Sequence, residues 1–194
     1  ASLLPLMLVI AKVVIVVLML VFVTLFIFAA VQIAGEAVSR QMGFLLARVF
    51  DPGFQNQAPV LSEFYLVVMF LIYLAINGHH FLIRGLAYSY EMVGIGGMTA
   101  AIGVEKHVMN IASTMFVSAV QIAAPVLVML ILANMALGII ARTVPQMNIF
   151  IVGLPLRIGL GFIGTILALR LFVYIFKTQW AIFQESFLTL IKLF

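Results

Sequence analysis

The apolar positions of this chain form long runs instead of marking one face of each element. From Leu3 to Val31 the only charge is Lys12, and the helical pattern continues to about Phe50. A helix needs about 20 apolar residues to cross the hydrocarbon core, so this stretch predicts one long membrane helix. A second is predicted from Val60 to about Val93, through FYLVVMFLIYLAI, the polar Asn77-Gly78-His79-His80 and FLIRGLAYSYEMV. Gly94 to Gly103 reads as a flexible connection. Glu105, Lys106 and His107 give the next helix a charged start. Val108 to Ala141 then carries no charge, only Asn110, Ser113, Thr114, Ser118, Gln121 and Asn134 among apolar neighbours. Pro125 should bend this helix, and Pro145 ends it, because the residue before a proline is pushed out of the α region. The run from Met147 to Phe176 contains Gly153, Pro155, Gly159, Gly161 and Gly164, which make it a kinkable, closely packing helix. Lys177-Thr178-Gln179-Trp180 reads as an interfacial break before a shorter last helix with Glu185 and Lys192. The pattern is all-α: five or six long, kinked helices of a polytopic membrane protein.

Composition removes several classes. The chain is 66% hydrophobic and 8% charged, against about 25% charged residues in soluble domains, which excludes a soluble reading. With no cysteine there are no disulfides and no Cys-based metal or redox sites. The net charge of +4 rests on few residues, and no basic patch with interleaved aromatics points to nucleic acid. A start at Ala1 instead of Met suggests a chain that begins part-way through a longer product, or a processed one. The first apolar run exceeds the roughly 7–15 residues of a signal-peptide core. Several predicted helices reach ~30 residues or more, beyond what a bilayer requires. Arg84, Arg157 and Arg170 interrupt apolar runs, and intramembrane charge faces protein or water. Such helices are comfortable when buried against partner subunits. The basic residues are too scattered to set an orientation.

The stretch Ala34 to Pro59 differs from the rest. In a helix, Gly35, Ser39, Gly43 and Ala47 stack at four-residue spacing, a small-residue ladder on which another helix can pack closely. Glu36 precedes Arg40 by four residues, the favourable order for a helical ion pair. Asp51-Pro52-Gly53 breaks the helix, with Pro and Gly suited to the centre of a type II turn. The loop that follows, to Pro59, has two readings. Composition favours an ordinary extramembrane turn, and the alternative is a polar segment lining or blocking a water-filled passage.

Other candidates favour structural roles. Adjacent helical residues point about 100° apart, so without a broken helix His79 and His80 do not converge on one metal, although Asn77-Gly78 offers a place for a local helix distortion. Glu36 has the place of a proton-relay carboxylate, yet Arg40 offers it a local partner. Gly159, Gly161 and Gly164 have no strand before them and no Lys-Ser/Thr after them, so they signal close helix packing and not a nucleotide loop. No convergent titratable set suggests an enzyme, and no site for a cofactor or metal emerges. A small secondary transporter with Glu36 and Arg84 in an intramembrane polar site is the rival, but no internal repeat supports it.

Four ordered stretches carry a resemblance over essentially the whole chain: AVQIAGEAVSRQMG (Ala30 to Gly43), FDPGFQNQAPVL (Phe50 to Leu61), LAINGHHFLIRGL (Leu74 to Leu86) and ARTVPQMNIFIVGLPLRIGLG (Ala141 to Gly161). They resemble the FliR family of type III secretion export-gate proteins, called SctT in the virulence branch, and look more like the flagellar branch. Members have a further N-terminal hydrophobic portion that this sequence lacks. The resemblance implies a non-enzymatic helical subunit that joins FliP-like and FliQ-like subunits, beside FlhA/FlhB-like proteins, in a channel complex of the bacterial inner membrane. It implies a FliP-like part over residues 1–93, and over residues 94–194 the remaining helices with a FliQ-like C-terminal hairpin. Unfolded proteins are the implied cargo. The implied channel plug is Phe50, Asp51, Pro52, Gly53, Phe54, Gln55, Asn56, Gln57, Ala58 and Pro59. Gly35, Glu36, Ser39, Arg40, Gly43, Ala47 and the three glycines of the last run would serve helix packing or subunit contact.

Overall fold

The computed structural model describes residues 3–44, 60–92, 104–144 and 149–192, all of them in helices or the short turns at their ends. Its helices are α1 (Leu3–Met42), α2 (Val60–Ala75), α3 (Gly78–Met92), α4 (Val104–Thr143) and α5 (Ile149–Lys192). The all-α, polytopic expectation holds. Three helices are long and apolar enough to cross a membrane, over Val21–Met42, Glu105–Thr143 and Ile151–Thr189. The α2–α3 pair makes a fourth if its two bent parts count as one span.

Contacts give the helix directions. Ser62 Oγ of α2 donates to the Gln32 carbonyl of α1 at 3.1 Å, while Tyr73 meets Phe28 with ring centroids 5.8 Å apart. As α2 advances, its partners on α1 recede, so the two are antiparallel. Tyr65 stacks on Phe172 at 5.7 Å and Tyr73 lies edge-on to Trp180 at 5.3 Å, so α2 and α5 run the same way. Gly164 of α5 faces Val126 and Met129 of α4, and His107 near the start of α4 reaches Ser186 near the end of α5. These two form an antiparallel hairpin.

One core joins α1, α2, α4 and α5. On α1 it takes Val23, Ile27, Val31, Ala34, Val38 and Met42, a stripe at helical spacing. On α5 it takes Phe172, Phe176, Trp180, Phe183 and Phe187, which interleave with Tyr65, Tyr73 and Met69 of α2.

Three boundaries differ from the sequence expectation. First, α1 ends at Met42 and does not run as one helix to Phe50. Gly43 takes φ 92, and its N–H donates to the Arg40 carbonyl at 3.1 Å. That is the left-handed helix stop for which glycine carries no Cβ penalty. Second, the expected Val60–Val93 helix is two helices that meet at 66°. The break is at Asn77, with φ 56, a left-handed conformation that Asn tolerates better than most side chains. Third, the break expected at Lys177 to Trp180 does not occur, because α5 is continuous. That stretch has polar residues but no Gly or Pro to interrupt the backbone ladder. Thr178 Oγ1 bonds back to the Tyr174 carbonyl at 3.1 Å, and Trp180 is buried among Tyr73, Phe81 and Phe183. Pro125 and Pro155 sit inside α4 and α5 without ending them.

Candidate functional site

The small-residue ladder begins at a tight helix crossing. Gly35 is buried, and a Cβ built on it would lie 2.6 Å from the Ser62 Cα and 3.3 Å from the Leu61 carbonyl oxygen. Glycine is what lets α2 approach this closely. The next rung, Ser39, is 1% exposed, and its hydroxyl has no hydrogen-bond partner among the described residues. Gly43 serves as the helix stop, and Ala47 lies outside the described residues. The Gly35 side of α1 is thus occupied by α2 of the same chain. On the neighbouring edge, Arg40 Nη2 lies 3.6 Å from Glu36 Oε1, both side chains about half exposed.

The three glycines of α5 have three environments. Gly161 is pressed against the Met42 side chain. Gly164 has Met129 Sδ at 3.1 Å and Val126 Cγ1 at 3.4 Å from its built Cβ. Gly159 is exposed, and its built Cβ has nothing within 4 Å.

The residues expected as a plug, Phe50 to Pro59, lie outside the described residues. Their flanks are described: the chain leaves α1 at Met42 and enters α2 at Val60.

His79 and His80 sit side by side, ring centroids 4.1 Å apart, and His79 also meets the Tyr73 ring edge-on at 6.5 Å. Gly78 leaves room for the Tyr73 and Trp180 rings. The Asn-Gly-His-His stretch therefore serves the aromatic seam that holds the α2–α3 bend on α5. Among the described residues no group of three His, Asp or Glu could hold a metal ion.

Glu36 and Arg84 do not share a site. Leu82 and Leu86, beside Arg84, line an apolar cleft with Val17, Val21 and Leu25 of α1. Glu36 lies 11 to 19 residues further along the same helix, about 16–28 Å at 1.5 Å per residue.

One feature was not recognised as a unit from the sequence. Asn110, Thr114 and Ser118 fall on one face of α4 and, with His107, Gln179 and Ser186, line a cleft of about 200 Å³ against α1. His107 Nε2 is 2.9 Å from the Ser186 carbonyl oxygen. The four-residue spacing of Asn110, Thr114 and Ser118 was the available signal. Elsewhere, Asn134 Oδ1 and Arg157 Nε are buried without a hydrogen-bond partner among the described residues.

Comparison with known proteins adds what geometry alone does not. The family model described as "Bacterial export proteins, family 1" matches residues 1–182. The chain is 39% identical over 168 residues to the flagellar biosynthetic protein FliR of Bacillus subtilis (strain 168), covering 85% of this chain and 65% of that protein. It is 34% identical over 136 residues to the FliR of Escherichia coli (strain K12), covering 70% of this chain and 52% of the relative. The FliR of Aquifex aeolicus (strain VF5) is 32% identical over 160 residues, covering 82% of this chain and 60% of the relative. The chain thus spans between about half and two thirds of the length of these curated relatives. With the match running from residue 1 into the α5 aromatic seam at residue 182, the chain belongs to the bacterial export proteins, family 1.

Proposed function

We propose that the chain works as a subunit of a flagellar-type (type III) protein export gate in the bacterial inner membrane. It supplies channel wall and plug for unfolded proteins and performs no chemistry of its own. The observation that carries this reading is the family match over residues 1–182, together with relatives named flagellar biosynthetic proteins. The helix dimensions support it. α1 and α4 have 40 residues each and α5 has 44, about 60–66 Å of helix against a hydrocarbon core of ~30 Å. Their outer faces expose large apolar side chains such as Phe116, Val120, Leu132, Phe162 and Leu167. Helices of this kind suit a place among FliP-like and FliQ-like subunits, with FlhA/FlhB-like proteins nearby. Glu36, Arg40 and Gly159 are the candidate subunit contacts left open by the chain's own packing.

Phe50 to Pro59 is assigned the plug role on its resemblance to the family's loop. Its polar, weakly adhesive side chains suit a seal that must release. The test is deletion of Gly53 to Gln57 in the intact export apparatus, measuring leakage of ions and small solutes. We expect a leaky membrane, and unchanged permeability would remove the plug role. Gentle detergent extraction checks the subunit role independently: the chain should leave the membrane in a large particle with its partners. A secondary transporter built on Glu36 and Arg84 is disfavoured because α3 meets α1 beside Arg84 at Val17, Val21 and Leu25, well before Glu36.

A further inference from the structure

The outward side of α5 mixes apolar area and charge in one stripe. Successive helical residues turn by about 100°, which puts Ile163, Ile166, Leu167, Arg170, Tyr174 and Lys177 within one sector about 100° wide. All six are exposed, with Leu167 at 70% and Tyr174 at 68%, and they lie opposite the buried Ala168, Phe172 and Phe176. Arg170 and Lys177 are seven residues apart, about 10 Å along the axis. The one ion pair among the described residues joins Arg40 and Glu36, so neither cation of the stripe has an acidic partner there. Glu185, the next charge along α5, comes eight residues after Lys177, about 12 Å further along the axis and out of pairing range.

Water satisfies the two cations but leaves a contiguous apolar stripe exposed, which marks an interaction site. Hydrocarbon satisfies the apolar side chains but strands the charges. A protein face that offers apolar contacts and two carboxylates satisfies both, since a covered charge needs an ionic partner. We propose that this stripe docks a helix of another protein, laid along α5 and carrying two acidic residues seven positions apart among apolar ones. Near-parallel packing of two helices keeps positions seven apart in register, so the two carboxylates meet Arg170 and Lys177 together. Arg and Tyr are also side chains that anchor interfaces. A second copy of this chain fits poorly. Antiparallel pairing of two such stripes sets Arg170 against Glu185 but Lys177 against Lys177, and parallel pairing sets each cation against itself. Like charges so placed repel. Such a partner presupposes the subunit role proposed above, and the docking does not require α5 to cross a bilayer.

Both sides of the contact are tested in the full-length protein, in cells that make the whole export apparatus. A benzophenone side chain replaces Leu167 or Tyr174 and is cross-linked by light, and the linked peptide is identified by mass spectrometry. We expect both positions to capture one helix of one partner, with two acidic residues seven apart. Arg170→Glu combined with Lys177→Glu should lower recovery of that partner in the detergent-extracted particle by about tenfold or more, because like charges set together across an interface repel. Changing the partner's two acids to lysine should restore it. Capture of lipid alone, of a second copy, or of a segment without the two acids overturns the proposal. So does a charge reversal that leaves recovery unchanged, or one that the partner's change does not rescue. Unchanged recovery leaves the particle intact, so the subunit role then stands without this contact. A native chain that leaves the membrane alone removes the subunit role as well. Should the double variant fail to fold, the cross-linking, which keeps both cations in place, decides by itself.

Discussion

At Gly35 the space for a side chain is already taken by the backbone of α2's first turn, which cannot rotate away. We expect Gly35→Ala to force α1 and α2 apart and to lower stability by roughly 1–3 kcal/mol, the usual range for overpacking. The measurement is the unfolding midpoint of the purified protein in detergent. Gly159→Ala is the contrasting case, since a Cβ there meets nothing and alanine gains about 0.8–1 kcal/mol of helix propensity. Its midpoint should hold or rise, whereas Gly159→Leu should reduce recovery of partner subunits if this face is a contact. Removing Glu36 should cost little, because its pair with Arg40 is half exposed and surface pairs contribute about 0–1 kcal/mol. The spacing of Gly35, Ser39 and Gly43 was legible in the sequence. Their separate tasks were not, because a small residue that admits a neighbour and a glycine that ends a helix look alike in one dimension.

The α2–α3 bend is the element whose geometry depends most on one backbone angle. Asn77 holds φ 56, so a β-branched residue there adds roughly 1–2 kcal/mol of strain. We expect Asn77→Val to destabilise by about that amount and Asn77→Gly to preserve the bend, read as protease sensitivity near residue 77. Trp180 locks the far side of the bend through Tyr73, Phe81 and Phe183. Trp180→Ala should cost roughly 3–5 kcal/mol, as deletion of a buried large aromatic does. The Asn-Gly dipeptide announced a distortion, and the structure has one there. Lys177 to Trp180 announced a break that is absent. Polar residues mark a helix's solvent or interfacial side, and only a lost backbone bond or a left-handed residue stops it. The burial of Trp180 depends on α2 arriving from more than a hundred positions earlier, which no local window contains.

Across the whole molecule, the all-α membrane character was legible because it follows from composition and run length. Which face of each helix is inside was not. On α1 the buried Val23, Ile27 and Val31 alternate with exposed Leu18, Val21, Phe22 and Leu25, so hydrophobicity is equal on both sides and shape alone divides them. The polar cleft likewise needed three helices brought together before its residues formed one site. The directions of the helices fix the sidedness of the molecule. The end of α1, the start of α2, the end of α4 and the start of α5 share one end of the bundle, as the Gly35–Ser62, Met42–Gly161 and Gly164–Met129 approaches require. The start of α4 and the end of α5, joined by His107 and Ser186, occupy the other. For helices that each cross a bilayer once, a topology reporter placed between Thr143 and Ile149 is expected to read the same compartment as one placed between Met42 and Val60, and one fused after Lys192 the opposite compartment.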